Sequence, residues 1–98
     1  MAFSKLFDQY DRLVLFDTET TGLFFSRDEI IEFAAVVVEQ QDGKAVVTRQ
    51  YDELVTLTPG NSVPPKIQEL TGISTQDILE RGVAKTRVCR DIAEMFAG

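Results

Sequence analysis

The 98-residue sequence has little of what marks a secreted or membrane protein. Its single cysteine, Cys89, excludes an internal disulfide and is typical of a reducing compartment. No apolar run approaches the roughly 18–20 residues that span a bilayer, and the N-terminal segment lacks the apolar core of a secretory signal. We therefore expect a soluble, cytoplasmic chain of one domain or part of one, with no membrane partner.

Positive charge is also scarce. Ten Lys and Arg residues against 16 Asp and Glu residues give a net charge of −6 at pH 7. This balance argues against a generic basic nucleic-acid-binding protein. It does not exclude an enzyme that reaches nucleic acid through metal ions, because two divalent cations would change the charge to about −2. Charge alone leaves the partner open.

The hydrophobic pattern predicts three strands and then helices. The strands are predicted at residues 12–18, 29–40 and 45–57, after a short helix at residues 4–10. Asp42-Gly43 between two β-prone runs predicts a hairpin, so the three strands should be antiparallel neighbours. In the third strand, Tyr51, Val55 and Leu57 are expected to share one face.

Helix signals follow at three places. Prolines first and glycine last predict a helix within residues 64–72, and Ser74 with Asp77 resembles a capping box. Thr86 is predicted to cap a last amphipathic helix. The apolar residues of that helix keep helical spacing: Val88, Ile92, Met95 and Phe96.

Two carboxylates end the first strand. Asp17 and Glu19 are two residues apart, so they project to the same side with Cα atoms about 6.6 Å apart. Carboxylates so placed can share Mg²⁺ ions, as two-metal phosphodiester-cleaving sites require. Thr20, Thr21 and Gly22 would supply a loop that lets a ligand approach the backbone. Spacing alone also allows a solvated strand end followed by an ordinary turn.

Longer strings carry a resemblance to a known family. FDTETTG at residues 16–22, IIEFAAVVV at 30–38 and VPPKIQELTGIS at 63–74 resemble the first part of the DEDD exonuclease superfamily. Within it, they are most similar to the family of proofreading epsilon subunits of bacterial DNA polymerase III, and the double threonine favours the DNA-directed branch. The resemblance implies an α/β, RNase H-like fold, truncated here to a three-stranded antiparallel sheet followed by helices. It also implies 3′→5′ removal of nucleotides with two Mg²⁺ or Mn²⁺ ions.

The same resemblance implies roles for individual residues. Asp17 and Glu19 would be the catalytic metal ligands. The residues that would bind the terminal nucleotide are Thr20, Thr21, Gly22, Leu23 and Thr71, with Leu23 wedged against a base. The expected partners are a single-stranded or frayed DNA 3′ end and a DNA polymerase subunit, for a role in proofreading or repair.

The sequence departs from the family in what should come later. The family needs two further aspartates and a histidine or tyrosine base, and this sequence contains no histidine. Asp77 and Asp91 are interpreted as a helix cap and a helix flank, not as substitutes. We therefore expect residues 1–98 to be the N-terminal portion of a single exonuclease domain, inactive alone and either dimeric or partly ordered. The alternative is a non-catalytic interaction module or a naturally truncated, inactive homologue.

Four other residues receive structural or open interpretations. Glu32 interrupts an apolar strand, and either supports the metal site or reaches solvent. Phe24 and Phe25 are expected to cover the core beside the loop, with stacking on a base as the alternative. Cys89 is expected to be a small packing residue.

Overall fold

The computed structural model describes residues 9–24 and 26–97, which form three strands followed by three helices. The strands are β1 (Arg12–Thr20), β2 (Ile30–Gln41) and β3 (Lys44–Leu54), and the helices are α1 (Pro65–Thr71), α2 (Thr75–Arg81) and α3 (Lys85–Ala97). This is the predicted order. The helix predicted at residues 4–10 falls largely outside the described residues. Within them, no helix is long and apolar enough to cross a membrane.

The sheet is antiparallel with the order β1-β2-β3, so β1 lies at an edge. The predicted hairpin is confirmed at Asp42 and Gly43, whose φ angles are 52° and 77°. Two successive left-handed residues match the right-handed twist of the flanking strands, and Asp-Gly adopts them at low cost. This local signal therefore sets how β2 and β3 are connected.

The core lies between one face of the sheet and α3. Phe33, Ala35 and Val37 alternate along β2 and pack against Val88 and Met95 of α3. A second buried cluster joins the start of β2 to the shorter helices: Ile31, Val63, Ile73 and Ile78. The alternate residues of β2 point to the opposite face, which the helices leave more accessible.

One strand prediction is corrected by a long-range contact. Tyr51 and Val55 do pack together in the first cluster, but Leu57 packs against the second. The reason is that β3 ends at Leu54, after which Val55 makes an isolated parallel bridge with Val83. The chain then leaves the sheet, so strand alternation no longer applies to Leu57.

The helix boundaries follow the sequence signals with one exception. The proline-first helix α1 ends before Gly72, and both bonds of the Ser74–Asp77 capping box are present. The prediction that Thr86 caps the last helix is wrong, because α3 begins at Lys85 and Ala84 O accepts the first helical bonds.

Phe96 on α3 is also not buried. Its side chain is half exposed and meets Phe16 of β1 edge-on, with ring centroids 5.7 Å apart. The apolar face of α3 therefore extends past the core to the open edge of the sheet.

Candidate nuclease site

Four carboxylates share one end of the sheet on the face opposite α3. The register pairs Asp17 with Ala34, which pairs in turn with Asp52, and it pairs Glu19 with Glu32. Directly opposed residues of antiparallel strands project to the same face, as do residues two apart on one strand. We call these four residues the acidic face: Asp17, Glu19, Glu32 and Asp52. The two sequence-predicted ligands thus lie beside two further acids.

The charges of the acidic face act on each other. Burial raises the pKa of Glu32 to about 7, helped by a side-chain hydrogen bond with Asp52 and by the charges of Asp52, Glu19 and Asp17. Glu32 is half-buried and lines an open cavity of about 260 Å³ together with Asp52 and Arg81, so its support of a metal site stays a prediction. Carboxylate oxygens grouped in this way are the donors that Mg²⁺ and Mn²⁺ prefer.

The acidic face does not form a complete metal site by itself. Within residues 9–24 and 26–97, no three Asp, Glu or Cys side chains converge closely enough to hold a metal ion by themselves. Asp17 and Glu19 fit the chemistry of a divalent-cation site, while the geometry of a complete ligand set is not formed by these residues.

The β1–β2 loop (residues 21–29) is held by its own threonines. Thr20 Oγ1 donates to Gly22 O at 2.6 Å, and Thr21 Oγ1 donates to Asp28 Oδ1 at 3.1 Å. Both hydroxyl protons therefore stabilise the loop itself. We expect the loop backbone, and not these hydroxyl groups, to donate to a ligand.

Gly22 lies very close to the side chain of Asp28, which leaves no room for a larger residue at position 22. A Cβ atom at this position would lie 2.5 Å from Asp28 Oδ2, well inside contact distance. The same Asp28 oxygen accepts a hydrogen bond from Phe24 N at 2.8 Å, so the carboxylate fills the inside of the loop. The Thr-Thr-Gly string thus folds around Asp28, a residue that its spacing did not single out.

The tip of the loop is exposed. The side chain of Leu23 is 96% exposed and that of Phe24 is 62% exposed, so the expectation that Phe24 covers the core is wrong. Phe24 O accepts hydrogen bonds from Arg27 N and Asp28 N, a tight turn that points the ring outward. The Arg27 guanidinium lies 4.6 Å from the ring centroid. Phe25 lies outside the described residues.

The remaining candidates have local structural roles. Thr71 Oγ1 donates to Ile67 O at 2.8 Å and accepts from Ile73 N at 3.1 Å, which closes the end of α1. The interpretation of Asp77 as a helix cap is confirmed. Asp91 accepts a hydrogen bond from Tyr51 Oη at 2.9 Å. Tyr51 belongs to the core side of β3, so Asp91 lies away from the acidic face.

Cys89 does not pack in the core as expected. It is exposed on α3, beside an open cavity of about 290 Å³ that Phe33, Ile92 and Lys85 help to line. Val88 and Ile92 take the inward positions of the helix, which leaves the neighbouring residue outside.

Sequence reasoning missed Glu29, which joins the loop to two distant segments. Its carboxylate accepts hydrogen bonds from Thr58, Asn61 and Lys85. Burial opposes its ionisation, but these bonds outweigh burial and lower the pKa of Glu29 to about 2. An acid directly before an apolar strand was the available signal, but it does not reveal partners 29 to 56 residues away.

Comparison with solved structures defines the fold class of the chain. Escherichia coli exonuclease I with a dT13 oligonucleotide superposes with a TM-score of 0.74 at 18% identity, over 89% of this chain and 18% of that one. A product-bound structure of exonuclease I gives a TM-score of 0.75 at 19% identity, over 90% of this chain and 20% of that one. The chain therefore has the predicted α/β, RNase H-like fold, represented by a three-stranded antiparallel sheet and three helices among the described residues.

Sequence comparison identifies the family. A family model described as Exonuclease matches residues 14–98, so the chain belongs to this exonuclease family, as the motifs predicted. The 3′-5′ exonuclease DinG of Bacillus subtilis is 39% identical over 88 residues, which are 89% of this chain and 9% of that protein. The DNA polymerase III subunit epsilon of Treponema pallidum is 37% identical over 79 residues, 81% of this chain and 32% of that subunit. The chain thus spans a third or less of these relatives.

Proposed function

We propose that this chain is part of a metal-dependent 3′→5′ exonuclease that acts on DNA. The observation that carries the proposal is the Asp17–Glu19 pair on β1, which leads directly into an exposed loop, in a chain of the exonuclease family. The names of the relatives support the polarity and the substrate, since one is a 3′-5′ exonuclease and another a DNA polymerase III subunit. A proofreading or repair role, with a polymerase subunit as partner, belongs to the same proposal.

Asp17 and Glu19 would hold the divalent cations, Mg²⁺ or Mn²⁺. Bound cations supply electrostatic stabilisation of the charge that develops on a phosphodiester during hydrolysis. The loop residues Thr20 to Leu23 would bind the terminal nucleotide, with the exposed Leu23 side chain against a base and Thr71 near the strand end. Further ligands and the general base are not supplied by the residues described here.

The test uses the full-length product of the gene that encodes this chain. Asp17→Ala and Glu19→Ala should each lower Mg²⁺-dependent shortening of 5′-labelled single-stranded DNA by about 100-fold or more, because each removes a metal ligand. Asp11→Ala and Glu94→Ala, at exposed acids away from the acidic face, are the matched controls. Full activity in either ligand variant would overturn the proposal.

For the isolated 98 residues, which we take as part of one exonuclease domain, we propose an inactive state that self-associates. The edge strand β1 exposes Leu15 and Phe16, and unpaired apolar edges favour pairing with another chain. Light scattering should show a dimer or larger species, and Leu15→Lys should shift it toward monomer. A well-folded monomer, or metal-dependent digestion by this fragment, would contradict the proposal.

A non-catalytic interaction module is the second candidate. It is favoured by the incomplete metal centre among residues 9–24 and 26–97. The gene sequence beyond Gly98 discriminates between the two. An Asn-x-x-Phe-Asp-like segment followed by His-x-x-x-x-Asp would dismiss the module, and a stop codon would favour it.

A further inference from the structure

Glu29 closes the base of the β1–β2 loop through its backbone. Thr21 N donates to Glu29 O at 2.9 Å, and Glu29 N donates to Thr21 Oγ1 at 2.9 Å. These reciprocal bonds join the first and last residues of the loop. The position of Glu29 therefore determines where Thr21 lies, and with it the Thr-Thr-Gly-Leu backbone beside the acidic face.

The side chain of Glu29 is in turn held by two segments far along the chain. It accepts from Thr58 N at 2.9 Å, from Thr58 Oγ1 at 2.8 Å and from Asn61 Nδ2 at 2.7 Å. Lys85 Nζ, at the start of α3, donates to the same carboxylate and to Thr58 Oγ1. The side chain of Glu29 is only 13% exposed, while its partners Thr58, Asn61 and Lys85 remain accessible to water.

The charge on Glu29 is what makes this junction effective. One ionised carboxylate accepts four hydrogen bonds, and bonds to a charged acceptor are about twice as strong as neutral ones. A glutamine would keep one acceptor oxygen but would turn a donor toward Asn61 or Lys85.

We propose that Glu29, with Lys85, is a positioning residue that fixes the β1–β2 loop for the end of a nucleic-acid strand. Neither side chain needs to touch the strand. The inference rests on the proposed exonuclease function, since it concerns the same loop. Small displacements of a binding segment weaken its contacts with a ligand, because hydrogen bonds lose strength steeply when donor and acceptor are no longer aligned.

A positioning role and a merely stabilising role differ in kinetics. If Glu29 only stabilised the fold, its loss would lower the fraction of active protein and thus the apparent kcat, with KM unchanged. A displaced loop binds the strand less well in every molecule, so it raises KM. Faster exchange of the Thr21 amide hydrogen should accompany that rise, because the Thr21 amide is bonded to Glu29 O.

The experiment uses the full-length gene product and single-stranded DNA with Mg²⁺. Glu29→Gln and Lys85→Met should each raise KM about 5- to 10-fold and speed exchange of the Thr21 amide by a similar factor, with a smaller change in kcat. Lys85→Arg, which keeps the charge, should recover most of the loss. Glu94→Gln repeats the Glu-to-Gln change at an exposed site on α3 and should leave KM and exchange unchanged.

The outcomes separate this inference from the function on which it rests. An active wild-type protein in which Glu29→Gln and Lys85→Met lower only kcat, or change neither KM nor Thr21 exchange, overturns the positioning role alone. A wild-type protein without nuclease activity overturns both. Unfolding midpoints of all variants show whether each is folded at the assay temperature, and the conservative Glu29→Gln and Lys85→Arg variants are the least disruptive of the set.

Discussion

Glu29 and Glu32 are three residues apart, yet they occupy opposite environments. Hydrogen-bond donors from Thr58, Asn61 and Lys85 outweigh burial at Glu29 and lower its pKa to about 2. Burial and the carboxylates of the acidic face raise the pKa of Glu32 to about 7. The same type of side chain is therefore a strong acid directly before β2 and a weak acid three residues later, within the strand.

The difference lies in the neighbouring charges: Glu29 is paired with Lys85, whereas the acids beside Glu32 repel its ionised form. Glu29 has its positive partner inside the chain, so it contributes to folding without any ligand. The charges that raise the pKa of Glu32 are those of Asp52, Glu19 and Asp17. Arg81 lines the same cavity as Glu32 and Asp52, but it is paired with Asp77 at 3.4 Å. Such a group of acids is stabilised by protonation or by a bound cation, and stabilisation by a cation is what a cation-dependent site needs.

The largest expected effect on stability comes from removing the Glu29 carboxylate. Glu29→Ala removes the acceptor of four hydrogen bonds, and we expect it to lower the free energy of unfolding by about 1–2 kcal/mol, because several partners are partly exposed and can rebind water. Urea unfolding of the full-length protein at pH 7 measures this. Glu94→Ala is the control, and an equal loss in both variants would show that the junction contributes nothing.

A change of opposite sign is expected at Glu32. Glu32→Gln removes one charge from a repelling group, so in chelator at pH 8 it should raise the free energy of unfolding by up to about 1 kcal/mol. The same urea titration measures it, with Glu53→Gln on the other face of β3 as the control. Destabilisation by Glu32→Gln in chelator would mean that the ionised carboxylate has a partner after all.

The smallest effect is on the shape of the pH profile. The pKa of Glu29 is lowered on folding from 4.5 to about 2, so its contribution is present above pH 4.5 and is lost as the pH falls toward 2. The pKa of Glu32 is raised from 4.5 to about 7, so its contribution is present below pH 4.5 and is lost as the pH rises through 7. We plot the unfolding midpoint in chelator against pH between 2 and 8. Glu29→Gln should weaken the loss of stability at acidic pH, and Glu32→Gln should weaken the loss of stability at alkaline pH. A pH dependence that is the same in wild type and both variants would contradict the two pKa changes.

Local signals in the sequence determined most of the fold. The Asp42-Gly43 turn, the proline that starts α1 and the Ser74–Asp77 capping box each depend on residues a few positions apart, and each is present. The motif around Asp17 identified the family for the same reason, since its residues are adjacent in the chain. Errors arose at two places. Leu57 was misplaced because β3 ends at Leu54 and the chain then makes only an isolated bridge from Val55 to Val83. Thr86 was misplaced because α3 begins at Lys85, where Ala84 O accepts the first helical bonds and no side-chain signal marks the start.

Only the tertiary structure decided which residues surround Asp17 and Glu19. Near the hairpin, Val38 pairs with Val47, but Val37 pairs with Arg49, so Thr48 is an extra residue in β3. Because side chains alternate with a period of two, this bulge moves every later residue of β3 to the other face. It places Asp52 opposite Ala34 on the acidic face, where an unbroken ladder would have placed Tyr51. The Glu29–Lys85 junction likewise joins residues 56 positions apart, a contact that packing of α3 creates and that no local pattern encodes.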